Sequence, residues 1–173
     1  MVLPRDYSGQ VCSLARALEV VGERWTLLIV RDAFFGVRRF VDFAGHLGVP
    51  RAVLTDRLAS LTSAGVLARV PGPGRRQEYE LTGRGITLWP VIRSLMEWGD
   101  DNFAPNGPRR VFWHVGDGLA VAADGRCSGC GTHVDVADLV VAPGPGLDPP
   151  SDTADPVTVA LACPHRLLHP LCQ

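Results

Sequence analysis

Residues 38–81 read RRFVDFAGHLGVPRAVLTDRLASLTSAGVLARVPGPGRRQEYEL, and this stretch decides the fold. Phe40, Phe43, Ala44 and Leu47 fall at i, i+3, i+4 and i+7, the apolar stripe of a short helix. Gly45 and Gly48 loosen a turn, and Pro50 suits the first position of a second helix, where its missing N–H is not needed. In that helix Leu54, Leu58 and Leu61 repeat the stripe, leaving Arg51, Ala52, Thr55, Asp56 and Ala59 beside or opposite it. Gly65 closes the helix. Val66–Val70 then reads as a strand, Pro71–Gly74 as a turn, and Arg75–Leu81 as a returning strand with Tyr79 and Leu81 alternating against polar neighbours. Two short helices joined by a glycine turn are common in helical domains. Followed at once by a hairpin with arginines at its tip, they give the order of a winged helix-turn-helix. A helix with small residues and an arginine on its outer face suits close approach to base edges in the major groove.

Charge follows the same geography. The 173-residue chain carries a formal charge of −1, which excludes a general polycation. Residues 31–76 nevertheless hold eight arginines against three aspartates, whereas residues 105–173 hold four arginines against seven aspartates. A basic segment coinciding with the helix-turn-helix and wing is the electrostatic footprint of a DNA reader. All 17 basic residues are arginine, a side chain suited to bidentate phosphate and guanine contacts. No apolar run has the length of a membrane span, and the N-terminus lacks a signal-peptide core, so a cytoplasmic protein is expected. In that compartment the five cysteines would be reduced, favouring metal ligation or redox sensing over structural disulfides.

The flanks of the motif read as helices. Val11–Val21 is amphipathic, with Ser13 as its cap, and Arg24–Phe35 is apolar on most faces, as a central buried helix would be. Thr82 is a plausible N-cap for a helix running to about Asn102, which Pro90 should kink or displace. Ile86, Trp89, Ile92, Leu95, Met96 and Trp98 make it strongly apolar. Pairing of the first and last helices of two copies is the economical way to cover such a surface, and it yields a homodimer.

Cys12–Asp101 resembles the HxlR family (MarR-like, DUF24) of winged helix-turn-helix transcriptional regulators. The marks are Cys12 before the first helix, G-x-[RK]-W-T-L-L-I at Gly22–Ile29, R-F-x-x-[LF] at Arg39–Phe43 and D-R-L-x-x-L at Asp56–Leu61. Y-x-L-T-x-x-G at Tyr79–Gly85 and E-W-G at Glu97–Gly99 complete them. The resemblance implies a mainly α domain with a β-hairpin wing at residues 1–104, used for DNA binding and dimerisation. A small β-rich extension occupies residues 105–173. It also implies a homodimer on double-stranded DNA with a palindromic operator, residues 50–64 as the recognition helix and residues 71–77 as the wing. Arg51, Ala52 and Thr55 become the base-reading candidates, and Arg38, Arg39, Arg75, Arg76 and Gln77 the backbone contacts. Arg57 either reaches a phosphate or braces the fold. In some family members the cysteine at the place of Cys12 senses oxidants. The alternative is a small apolar residue packed against the second helix.

Beyond residue 104, Arg110–His114 and Leu119–Ala123 read as strands around a Gly116–Gly118 turn, followed by Cys127-Ser-Gly-Cys130-Gly. This resembles the ribbon appended to actinobacterial members of the family, H-x-x-C-G then C-x-x-C-G, with aspartate in place of one cysteine. His114, Asp117, Cys127 and Cys130 would then form a His-Asp-Cys₂ zinc site. A ribbon held by its hairpin alone, or a Cys127–Cys130 disulfide, are the alternatives. No other cofactor is implied. Residues 142–156 read as a mobile Pro/Gly-rich loop and Val157–Ala162 as one more strand. Cys163, His165, His169 and Cys172 form a second, poorer ligand cluster, and His46 reads as a solvated or capping histidine. No nucleophile–base pair, phosphate loop or paired carboxylates point to an enzyme. A ligand- or protein-interaction module on the same scaffold, a thiol sensor acting through Cys12, and a small-molecule effector stay open.

Overall fold

Helix α2 (Thr26–Phe34) is the pillar around which the rest packs: Ile29, Val30 and Phe34 are fully buried. The computed structural model describes residue 7 and residues 9–171. Before the pillar runs α1 (Ser13–Val21), which starts at Cys12 with no side-chain cap, so Ser13 does not serve as one. After it come α3 (Phe40–Leu47) and α4 (Arg51–Ser63). Phe43 of α3 and Leu54, Leu58 and Leu61 of α4 are completely shielded from solvent, as their i, i+4, i+7 spacing requires. Pro50 is the N-cap of α4 rather than its first residue.

The wing is an antiparallel pair, β1 (Leu67–Pro71) and β2 (Gln77–Leu81), in the register Leu67 to Leu81 and Pro71 to Gln77. A short 3₁₀ turn, Pro73–Arg75, forms its tip. Thr82 then caps a new helix, its hydroxyl accepting from the Gly85 N–H at 3.1 Å. The single helix expected over residues 82–102 is two: α5 (Gly83–Ile86) and α6 (Trp89–Phe103). Pro90 sets the break, since it fits only the first turn of a helix.

The extension adds β3 (Arg110–His114), β4 (Leu139–Pro143), α7 (Pro156–Ala160) and β5 (His165–Arg166), with the strands in one antiparallel sheet ordered β3-β4-β5. Two sequence expectations fail in this part and a third changes its bounds. Leu119–Ala123 is no strand and makes only isolated bridges, Trp113 to Ala120 and Val121 to Cys127, because the knuckle turns on either side leave too little extended chain. Val157–Ala162 is helical at its start, because the Asp155 carboxylate accepts from the Val157 and Thr158 N–H groups and caps α7 ahead of Pro156; such an Asp-Pro start outweighs the β-propensity of VTVALA. The expected 142–156 loop is a loop over residues 144–155: Ala142 and Pro143 belong to β4, Pro156 starts α7, and Gly144 and Gly146 hydrogen-bond back to Arg109 and Pro108.

An aromatic relay joins the halves. The Phe34 ring of α2 lies 5.0 Å from Trp89 of α6, which meets Phe112 of β3 edge-on at 5.4 Å. Val157, Leu161 and Leu167 bury in the same continuous core as Ile29 and Leu58. Such burial is the main stabilising contribution available to a chain of this size. The C-terminal segment is also stitched to the end of α2 through Leu168 N–H to Phe34 C=O (2.8 Å) and Leu171 N–H to Gly36 C=O (3.2 Å). Gly36 has φ +89, and a Cβ there would stand 1.9 Å from the His169 carbonyl oxygen. Only glycine tolerates both demands. No helix among the described residues is long and apolar enough to cross a membrane.

Candidate nucleic-acid interface and ligand cluster

Two groups of side chains stand out, one on the helix-turn-helix and wing and one in the extension. Burying Leu54, Leu58 and Leu61 turns the opposite face of α4 outward, so Arg51, Ala52 and Thr55 are all exposed. The Arg51 guanidinium lies 4.9 Å over the Phe40 ring, and the Thr55 hydroxyl donates to the Arg51 carbonyl at 2.9 Å. Arg57 points elsewhere. It pairs with Glu23 at 3.3 Å, and its Nε is buried without a partner.

At the wing, Arg76 and Gln77 are exposed at the start of β2, and the Gly72 N–H donates to the Arg76 carbonyl at 2.7 Å to close the tip. Arg75 ends the 3₁₀ turn. Exposed Arg69, whose guanidinium lies 5.9 Å from the Tyr79 ring, adds a cation that the sequence pattern did not single out; alternation along β1 was the available signal. Arg38 and Arg39 are already engaged. Arg38 pairs with Glu80 of β2 and donates to the Leu168 carbonyl at 3.2 Å. Arg39 makes a two-pronged pair with Asp42, at 2.6 and 3.0 Å.

In the extension, His114, Asp117, Cys127 and Cys130 present ligand atoms that all lie within 4.8 Å of one another. The local reason is a repeated turn. His114-Val-Gly-Asp117-Gly118 closes with Gly118 N–H to His114 C=O (2.8 Å), and Cys127-Ser-Gly-Cys130-Gly131 closes with Gly131 N–H to Cys127 C=O (3.0 Å). Both closing glycines have φ +70. The two knuckles face each other: Cys127 Sγ is 3.2 Å from Asp117 Oδ2, Cys130 Sγ is 3.7 Å from His114 Nδ1, and that nitrogen is 3.4 Å from Asp117 Oδ1. The Leu119 N–H, followed by the Cys127 thiol, holds the Asp117 carboxyl below its usual range. Thr132, through its hydroxyl and its N–H, does the same for the Cys130 thiol. Two thiols, an imidazole and a carboxylate make a donor set suited to a borderline-soft divalent cation.

The other candidates do not converge. His165 Nε2 is taken up by the His169 carbonyl at 2.9 Å, Cys163 is exposed, and Cys172 lies outside the described residues. Cys12 is exposed at the start of α1, which does not suit a small apolar residue in the core. His46 is neither solvated nor a cap. Its side chain is only 15% exposed, with Nδ1 3.1 Å from the Thr158 hydroxyl and 3.4 Å from Asp155, and Nε2 3.9 Å from fully buried Asp32. The sequence carries no sign of this cluster, because Asp32 and His46 lie more than a hundred residues from Asp155 and Thr158.

A family model described as HxlR-like helix-turn-helix matches residues 20–107. The uncharacterized HTH-type transcriptional regulators Rv3095 of Mycobacterium tuberculosis and Mb3122 of Mycobacterium bovis are each 46% identical over 148 residues, 84% of this chain and 92% of theirs. That length runs past the family segment into the extension. Among solved structures, PA1607, solved as a candidate transcription factor, superposes with a TM-score of 0.62 at 36% identity. The match covers 73% of this chain and 91% of PA1607. The redox regulator HypR in its oxidized form gives a TM-score of 0.50 at 29% identity, over 53% of this chain and 97% of HypR.

Proposed function

The chain belongs to the HxlR-like helix-turn-helix family of winged-helix transcriptional regulators, and from that premise we propose that it reads operator DNA as a homodimer. The recognition helix is α4, entering the major groove with Arg51, Ala52 and Thr55, while Arg76 and Gln77 of the wing meet the flanking backbone. One observation carries this reading: α4 buries its leucines completely and leaves an arginine, an alanine and a threonine outward on its first turns. Small side chains beside a guanidinium allow close approach to base edges. Dimerisation is supported by apolar residues that one copy leaves in water: Val11 and Leu14 at α1, and Val91, Leu95 and Trp98 along α6. Large apolar side chains left exposed along a helix in this way mark an association site. Two-fold symmetry then sets half-sites about 34 Å apart, or a multiple of that spacing.

Fluorescence anisotropy with DNA from upstream of the protein's own gene tests the reading. Nanomolar binding to a palindromic segment is expected, weakening by orders of magnitude between about 50 and 200 mM salt. Affinity that ignores both sequence and salt excludes it. Leu95→Asp should yield a monomer in sedimentation and lose cooperative operator binding.

A second reading concerns the extension. The repeated knuckles place four ligand atoms together, and this supports a structural zinc bound by His114, Asp117, Cys127 and Cys130. Its role is to pin the ribbon, since structural zinc contributes directly to folding. Metal analysis of protein purified without chelator should give one zinc per chain. A metal-free protein with an unchanged melting temperature after zinc addition rules the site out.

A further inference from the structure

Between the C-terminal half of α6, the strand β3 and the turn end of α3 lies a cleft of about 540 Å³. Its floor and rim are Phe35, Met96, Phe103 and Leu147, and its charged groups are Arg31, Arg109 and Arg110 against one carboxylate, Asp100. That volume falls in the range of small-molecule sites, roughly 300–1,000 Å³.

Charge and shape in the cleft select one class of ligand. The guanidiniums of Arg31 and Arg110 flank a single ring, at 5.8 and 6.0 Å from the Phe35 centroid. Arg31 is neutralised by Asp32 at 2.6 Å, and Arg109 is held by Asp100 at 3.8 Å and by the Phe103 carbonyl at 2.9 Å. Arg110 differs. Its polar contact is the Leu161 carbonyl, and among the described residues no carboxylate approaches it within 4.0 Å. Burial, and then the Arg31 charge, pull its pKa down against the smaller opposing influence of Asp32, as expected for a partly buried cation with no carboxylate in direct contact. A guanidinium in that state favours a carboxylate. The apolar surface of Phe35, Met96, Phe103 and Leu147 favours a flat hydrocarbon attached to it.

The inner wall of the cleft is the contact between His46 and Thr158. His46 lies in the last turn of α3, one short connection before the N-cap of α4. A molecule filling this cleft from Arg110 would therefore reach the joint between the extension and the helix-turn-helix turn.

We propose that this cleft binds a small aromatic carboxylate, anchored by Arg110, and that its occupancy alters DNA affinity through the His46–Thr158 contact. The second clause rests on the DNA-reading role; the first does not.

Titration calorimetry of the full chain with 2-naphthoate, against uncharged 2-naphthylmethanol, tests the site. Saturable binding at one site per chain is expected, with the alcohol at least tenfold weaker. Arg110→Gln and, independently, Leu147→Glu on the exposed side should each weaken naphthoate at least tenfold. Leu147→Glu settles the matter if Arg110→Gln does not fold. Absent saturation, equal binding of the alcohol, or affinity unmoved by the folded variants overturns the site. Anisotropy with operator DNA then tests the coupling, with saturating naphthoate expected to shift affinity at least threefold in the wild type and not in Arg110→Gln. Unchanged DNA affinity with naphthoate bound overturns the coupling alone, whereas no DNA binding either with or without naphthoate removes the DNA-reading role instead.

Discussion

His46 Nδ1 stands 3.1 Å from the Thr158 hydroxyl, a contact between residues 112 positions apart that fastens the helix-turn-helix turn to the capped start of α7. Asp155 completes the joint at 3.4 Å from the same nitrogen. The Asp155 carboxyl is held below its usual range: burial opposes this, but hydrogen bonds from Thr158 and the nearby His46 prevail. His46→Ala empties this joint and leaves Asp32 and Asp155 facing each other with less compensation. A loss of about 1–3 kcal/mol is expected from denaturant melts, the usual cost of stranding buried polar partners.

Asp32 gives the joint a pH signature. It is fully buried, one of its oxygens has no partner, and burial raises its pKa against the opposing influences of Arg31 and His46, with Asp155 adding to the rise. A carboxyl raised in the folded state contributes stability that is present below its unfolded pKa, about 3.9, and lost as pH rises through the folded value. Asp155, held low, acts in the opposite sense and loses its contribution as pH falls through its folded value. Asp32→Asn should remove the alkaline-side loss, so its melting temperature gains on the wild type as pH rises above the unfolded carboxylate value, about 3.9. Parallel curves for the wild type and Asp32→Asn across that window contradict this assignment.

The winged helix was legible because its signals are local. The leucine stripe of α4, the Gly/Pro tip and the Thr82 cap each sit within a few residues of the structure they dictate. Elements of the extension were misread where a local device outweighed composition. VTVALA has strand propensity, yet Asp155 and Pro156 start a helix there. Leu119–Ala123 is an apolar run that reads as a strand, yet two knuckle turns consume the chain around it. β4 drew no notice because its LVVAP lies beside a Pro/Gly run that reads as loop. The His46 joint and the Arg110 cleft depend on tertiary placement and leave no periodic trace in sequence.

Gly36 is a position where a single methyl group should unfasten the C-terminal segment. Its positive φ and the 1.9 Å approach to the His169 carbonyl cannot both survive a Cβ. Gly36→Ala should cost on the order of 1–3 kcal/mol, the strain typical of such backbone positions. Limited proteolysis should then cut first after Arg166, beside the displaced segment. Unchanged protease resistance contradicts the stitching role given to Leu168 and Leu171.

Asp117 is the weak member of its cluster, since a carboxylate is a harder ligand than the thiolates opposite it. Asp117→Cys should tighten zinc binding at least tenfold in competition with a chromogenic chelator, while Cys127→Ser should abolish stoichiometric zinc. If Asp117→Cys binds no more tightly, Asp117 is not a ligand, and its contact with Cys127 is a plain hydrogen bond.

If Arg39 meets DNA, Asp42 competes for it. Arg39 is offered as a phosphate contact, yet in the free protein its guanidinium is held by Asp42 at 2.6 and 3.0 Å, the hydrogen bond that raises its pKa. A phosphate must either displace that carboxylate or share the guanidinium with it. Asp42→Asn removes an acid from the approach path and frees the cation, so operator affinity should rise several-fold and the salt dependence should steepen by about one counterion. Arg39→Ala should do the opposite. Arg51→Ala should differ from both, flattening discrimination between operator and scrambled DNA rather than changing the salt slope alone, because a base contact carries sequence information that a phosphate contact does not. Equal effects of Arg39→Ala and Arg51→Ala on specific and scrambled DNA would remove Arg51 from base readout and leave α4 a backbone-binding helix.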